Sequence, residues 1–440
     1  MNPTVYHAVS INKELPEAKY ALPAGFPFIA DDDSLEVQRW PLLYLDSTFR
    51  KGQGTGLVPR RKRTSMHSVN ASAYDLVDFL RYLAHARETE KSADVGDRHE
   101  GPSRDAQELP LHNFTIYDVL RYRDDLYTKI SRQTHETLSD LTCSRRINRV
   151  LDYAKWLERQ GILFDFALTS DTKIRAPWPS SEDNSVRSLS EREWHSVRAQ
   201  LGPLPSEQQQ EIDERPARNR LASELAIASG LRVDEIAKLT IHQVLALRFD
   251  SSAPDHAEVK MRVTQTKGLV ARDVYVPMYL IRELQLYVDR ERQEAMTEAA
   301  KFWLTEKQRQ PTTLFVNGAD AHQHAGKPIQ ADVLSHAFYE ACVRVGLTHS
   351  SEKIDPISGE HYMTQLSSHH FHDLRHTFTI WKYYSEKEAG NPEPWKLLQA
   401  LLGHKHLSTT LNTYLRAVPG ERREVNRRTF SAIRSRFSGN

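Results

Sequence analysis

Cysteine is almost absent from this chain. Two residues, Cys143 and Cys342, stand among 440, which allows one bridge at most and excludes both a disulfide framework and a thiolate zinc finger. No run of about 18 apolar residues occurs, so no membrane-spanning helix is expected. A charged-then-apolar start of the secretory kind is missing too. Nor is there an excess of charge: 59 Lys and Arg face 58 Asp and Glu, a formal net charge of +1. The whole-chain balance therefore gives no pointer to nucleic acid. No internal repeat or long low-complexity tract stands out. With 39% hydrophobic and 27% charged residues, what remains is a globular chain long enough for two or three domains, expected to be soluble and cytoplasmic.

Charge is distributed unevenly even though it balances. From Arg50 to Arg63 the segment RKGQGTGLVPRRKR holds six basic residues (Arg50, Lys51, Arg60, Arg61, Lys62 and Arg63) and no acidic one. The tail from Glu421 to Phe437 has six arginines against two glutamates. Such runs suit either DNA phosphates or plain solvated surface.

Composition divides the chain into zones. Residues 1–40, with an Asp31-Asp32-Asp33 run and scattered aromatics, read as an irregular arm. Residues 41–168 read as a small helical domain, because YDLVDFLRYLAHA, TIYDVLRYRDDLYTKI and SRRINRVLDYAKWLERQGI repeat apolar residues at spacings of three and four. A charged loop is expected around Lys91 to Ser103. Residues 169–187, rich in Ser and carrying two prolines, read as a linker. The second domain, 188–440, opens with Ser190, Glu191 and Glu193 as a helix start. It is expected to be mostly helical, with a β-hairpin where Val259, Met261 and Val263 alternate with polar residues and Lys267-Gly268 lies near the turn. The basic tail at 420–437 is expected to form a last helix.

Three segments of this domain carry candidate chemistry. In ASELAIASGLRVDEIAKLT an apolar helix must stop at Gly230 before another starts at Val233, so Arg232 sits on a tight turn with Glu235 three residues on. Taken alone, Arg232 reads sooner as a surface residue with a local ion pair. In HHFHDLRHTFTIWKYY, the residues Phe371, Leu374, Phe378 and Trp381 form one apolar stripe, and His372 and Arg375 project together from its flank. His372 and His376 have helical ligand spacing. No Glu follows the first, however, and Arg375 would lie against a cation, so no metal is expected. In PWKLLQALLGHKHLSTTLNTYLR the helix stops at Gly403, His404 follows, and Ser408 can start a short helix bearing Tyr414.

The collected side chains suit a phosphodiester. Two guanidiniums can hold non-bridging oxygens bidentately and stabilise a five-coordinate phosphorus without metal, each charge-assisted bond contributing roughly 1.5 to 3 kcal/mol. A tyrosine with pKa near 10 is about one part in a thousand ionised at neutral pH, so attack through phenolate costs about 4 kcal/mol unless its proton is removed as bonding begins.

The strings GLRVDEIAKL, TKG, HDLRHTF and LLGHKHLSTTLNTY, in that order over residues 188–416, resemble the catalytic boxes of the tyrosine recombinase, or phage-type integrase, family. The resemblance implies a mainly α catalytic domain with a small β-hairpin or sheet (α+β), preceded by a helical core-binding domain, the two forming a C-shaped clamp on duplex DNA. It implies Arg232 and Arg375 as phosphate clamps, Lys267 as general acid, His372 as proton acceptor, His404 as transition-state donor, Tyr414 as nucleophile and Glu235 as support. It further implies a site-specific recombinase of a mobile element that works through a 3′-phosphotyrosyl intermediate, with no cofactor, as a homo- or hetero-tetramer on synapsed DNA. A type IB topoisomerase, a telomere resolvase and a catalytically silent DNA-binding relative use the same fold. Two features exceed the compact pattern: the N-terminal arm and the stretch at 349–369 before the second arginine box.

Overall fold

The computed structural model describes residues 2–8, 22–50, 65–95, 111–163, 166, 186–208, 215–264, 271–305 and 308–414. The chain divides into two compact units, one of residues 1–179 with 352–362, the other of 180–351 with 363–440.

The first unit opens with two antiparallel strands, β1 (Pro3–His7) and β2 (Pro27–Asp31), paired from Pro3↔Asp31 to His7↔Pro27. This corrects the expectation of an irregular arm at 1–40. Phe26 and Ile29 are fully buried in the unit's core, and the acidic run is a turn in which Asp31 accepts from Asn2 N (2.6 Å) and Ser34 Oγ (2.8 Å). Among the described residues four helices follow: α1 (Arg39–Arg50), α2 (Met66–Val95), α3 (Ile116–Thr128) and α4 (Asp140–Arg159). The first part of the expected charged loop, Lys91 to Val95, is the end of α2. Thr115 caps α3 in a reciprocal box with Asp118, and Ser139 caps α4. Leu76, Phe79 and Leu80 of α2 pack against Tyr122 and Leu126 of α3 and Ile147 and Val150 of α4. Asp78 ties these three helices by accepting from Tyr122 Oη (2.8 Å), Lys129 Nζ (2.7 Å) and Arg146 Nη1 (2.7 Å).

Residues 352–362, expected within the second domain, belong to this unit because main chain and charge join them to its loop: Ile354 N donates to His135 O (2.8 Å) and Lys353 pairs with Glu136 (2.7 Å). Of the basic run, Arg50 closes α1, with its side chain outside the description; Lys51, Arg60, Arg61, Lys62 and Arg63 lie outside the described residues, as do Lys267 and the tail 420–437.

The second unit is mostly helical. Its elements are α5 (Glu191–Gln200), α6 (Ala217–Ser229), α7 (Val233–Ala237), α8 (Ile241–Leu245), β3 (Glu258–Val263), β4 (Arg272–Pro277), α9 (Met278–Asp289), α10 (Glu291–Phe302), a 3₁₀ segment (Ala319–His324), α11 (Ala331–Arg344), β5 (Thr348–Ile354), β6 (His361–Ser367), α12 (Phe371–Glu388), α13 (Pro394–Leu402) and α14 (Leu407–Tyr414). Strands β5 and β6 form a hairpin whose tip is the segment counted with the first unit. Ser190 and Glu193 start α5 with a capping box. β3 and β4 pair antiparallel, with Met261 opposite Val274 and Val263 opposite Arg272. Period-two alternation buries Met261, Val263, Val274 and Val276 in a core with Leu221, Leu225, Ile281, Leu284, Phe338 and Leu374. Among the described residues no helix is long and apolar enough to cross a membrane.

Candidate active site

The site is assembled at helix ends in the second unit. α6 stops at Gly230, whose φ of 65° is left-handed, and a Cβ there would meet the Phe378 ring at 2.5 Å. The turn delivers Arg232 to the start of α7. There Glu235 accepts from Arg232 N (2.9 Å) and from Arg232 Nη1 (3.1 Å).

The same carboxylate is gripped from β4. Arg272 Nη1 and Nη2 donate to the two Glu235 oxygens at 2.7 and 2.6 Å, and its Nε donates to Leu401 O at 2.8 Å. Burial alone would raise the Glu235 pKa, but the Arg272 pair, helped by Arg232, carries it below the ordinary carboxylate value. Sequence reading missed Arg272. Its signal was the inward register of β4, which Arg272 shares with Val274 and Val276: a charged residue on a buried face requires a partner.

Arg375 on α12 is 1% exposed. Its guanidinium donates to Gly230 O and to Leu402 O (2.6 Å), carbonyls at the C-terminal ends of α6 and α13. Both helices end in left-handed glycines, Gly230 and Gly403, and both present the negative end of a helix to the buried cation. Burial, then repulsion from Arg232 and Arg272, pulls the Arg375 pKa down to about 9. Among the described residues, three guanidiniums and one carboxylate thus form a cluster with net charge of two positive, suited to an anion.

α14 brings Tyr414 to this cluster. The residue is 1% exposed, and its hydroxyl is hydrogen-bonded to His376 Nδ1 (2.9 Å). Burial raises its pKa, while Thr379 and the charges of Arg375 and Arg232 pull the other way. His376 was read only as half of a ligand spacing, and its partnership with Tyr414 depends on where α14 packs. The His372 ring meets His376 edge-on, with centroids 4.7 Å apart, and is itself exposed. Burial, then His372, lowers the His376 pKa to about 4. His404, just past Gly403, shares a 2.8 Å hydrogen bond with Thr410 Oγ1 through Nδ1. Burial, then the charges of Arg375, Arg232 and Arg272, lowers its pKa to about 4. At neutral pH both rings are uncharged; a His404 whose Nδ1 accepts from the threonine keeps Nε2–H as a donor. Arg232, Glu235, Arg375, His404 and Tyr414 are therefore brought into one electrostatically coupled site, His372 lies beside it, and Lys267 lies outside the described residues.

Residues 206–420 match the model of the phage integrase family. This part of the chain, mostly in the second unit, is a phage integrase family domain. No curated protein matches its sequence. Among solved structures, the chain is similar to the XerH site-specific recombinase in a post-cleavage complex with palindromic difH substrate, at 14% identity and a TM-score of 0.47 over 80% of this chain and 76% of that one. It is similar to lambda integrase (75–356), a dimer bound to a COC′ core site, at 13% identity and a TM-score of 0.45 over 85% and 94%. The Tn1549 transposon integrase (82–397) with circular intermediate DNA gives 16% identity and a TM-score of 0.40 over 84% and 94%.

Proposed function

We propose that this recombinase cuts and rejoins DNA at a specific site through Tyr414, forming a 3′-phosphotyrosyl intermediate, in the service of a mobile element. The observation that carries the reading is the phenol's burial against a cluster of Arg232, Arg375 and His404 that has excess positive charge. In the reaction the Tyr414 oxygen attacks phosphorus and loses its proton to an active-site imidazole. The bond from phosphorus to the 5′ oxygen breaks, and Lys267 protonates the leaving oxygen. Arg232 and Arg375 hold the non-bridging oxygens while His404 donates to the charge that builds on them. Bond count and charge are conserved, so rejoining is the same step reversed and needs neither nucleotide nor metal. Since Tyr414 is buried, the in-line approach requires α14 to shift when DNA binds. The partner is double-stranded DNA, and exchange between two duplexes calls for four chains, identical or related.

The test is a nicked suicide duplex built on the sequence that the chain protects from nuclease at the ends of its element. The wild-type chain should become covalently attached. Tyr414→Phe should bind that duplex almost equally and form no adduct. An adduct from the variant would refute the nucleophile assignment, and a bound wild-type chain with no adduct would leave a DNA-binding relative without the reaction. Strand transfer between two duplexes, as opposed to relaxation of one, separates the recombinase from a topoisomerase.

A further inference from the structure

We propose that Arg272 is a positioning residue of this recombinase: it occupies the Glu235 carboxylate from the buried side, and so leaves the Arg232 guanidinium free to meet the scissile phosphate. The proposal rests on reading Arg232 as a phosphate clamp. Two arginines compete for one carboxylate here. Arg272 holds both oxygens in a fork at 2.7 and 2.6 Å, whereas the Arg232 side chain makes one longer contact at 3.1 Å. Their exposure differs in the same sense, with side chains 5% and 23% accessible. The arginine that has the carboxylate is sealed in, and the one that shares it faces outward.

Arg272 also reaches the anchors of the other catalytic groups. Its Nε donates to Leu401 O, one residue before the carbonyl that receives Arg375. Its Cδ lies only 2.9 Å from where a Cβ on Gly403 would be, so the turn that leads to His404 is packed on its stem. One strand residue thus braces the turns carrying Arg232, His404 and the Arg375 anchor. Without it, Glu235 would be open to a bidentate grip from Arg232, which would draw the clamp back from the substrate and neutralise it.

The experiment compares Arg272→Met and Arg272→Lys with the wild-type chain on the suicide duplex, and on the same duplex carrying an uncharged methylphosphonate at the scissile position. Misplacing a charged group by about 1 Å costs on the order of a hundredfold in rate, and that loss in adduct formation is expected for Arg272→Met on the phosphodiester. On the methylphosphonate the loss should shrink, since there is less charge for Arg232 to stabilise. Combining Arg272→Met with Arg232→Ala should slow the reaction, relative to Arg232→Ala alone, by much less than Arg272→Met slows the wild-type chain, because only the bracing of the His404 and Arg375 turns is then left to lose. Arg272→Lys keeps a charge but lacks the fork, so it should keep the thermal transition and DNA binding while losing rate; it serves if the Met variant fails to fold. Equal losses on both substrates, or losses that multiply with Arg232→Ala, would make Arg272 a purely structural residue and overturn the proposal. A wild-type chain that forms no adduct overturns the strand-cleavage reading itself, which is a separate and distinguishable result.

Discussion

Replacing Glu235 by Gln removes one charge and almost no volume, so its effect reports the electrostatics of the cluster. Glu235 is buried and takes four hydrogen bonds, two from Arg272 and two from Arg232. The amide accepts at one atom only and turns an N–H₂ toward guanidinium N–H donors. Removing one partner of a buried ion pair costs about 3 to 5 kcal/mol, because the remaining charge stays buried without compensation. Arg232 is partly solvated, so the lower end applies, about 3 kcal/mol at pH 7. For a unit of this size that lowers its calorimetric midpoint by about 6 to 12 °C. The pH dependence gives a second check. The folded pKa of Glu235 is depressed, so its contribution is present above the unfolded carboxylate value and is lost as pH falls through the folded one. The gap between wild type and variant should be constant between pH 7 and 5 and narrow only in more acidic solution. A midpoint change under about 2 °C, or a gap that narrows between pH 7 and 6, would refute the argument that this carboxylate compensates the arginines.

Gly230→Ala should cost about 1 kcal/mol for the left-handed backbone and a further 1 to 3 kcal/mol from contact with the Phe378 ring; in a urea titration, a loss below about 1 kcal/mol would contradict the packing. Because the carbonyl of that residue anchors Arg375, adduct formation should fall with it. His376 and His404 have folded pKa values of about 4, below the unfolded value near 6.5, so the unfolded chain binds more protons between those limits and stability should drop from pH 7 to 5. His376→Gln should flatten that drop, and an unchanged slope would remove His376 as its source. Replacing Arg60, Arg61, Lys62 and Arg63 by neutral residues should reduce the slope of log binding constant against log salt by roughly one for each phosphate that the run had neutralised; an unaltered slope would show that the run is solvated surface.

What could be read from the sequence and what could not separate along the distance over which each feature is determined. Gly230 and Gly403 end their helices, and Ser190 with Glu193 starts one, through contacts within four residues, so residue identity and spacing were sufficient. The β3–β4 hairpin was legible for the same reason, since alternation marks the buried face of each strand. The N-terminal ribbon was not. Its two strands are joined across some twenty residues and held by burial of Phe26 and Ile29 among helices from elsewhere in the unit, which a run of aspartates and prolines conceals. Likewise the tip at 352–362 carries its own turn signal, but its attachment to His135 and Glu136 spans over two hundred residues.

The candidate site shows the same division within a single hydrogen-bonded group. The Glu235 contact with Arg232 is three residues long and could be anticipated from the turn, while its stronger contact with Arg272 crosses 37 residues and depends on hairpin register. A slip of one residue would turn Arg272 to solvent and bring Asp273 to the buried face beside Glu235. Register in this hairpin is therefore fixed twice, by the apolar face of Met261, Val263, Val274 and Val276 and by the need of a buried carboxylate for a cation. Tyr414 and His376 follow a similar logic, 38 residues apart: the helical spacing of His372 and His376 states that both rings share a side of α12, and only the packing of α14 decides which of them receives the phenol.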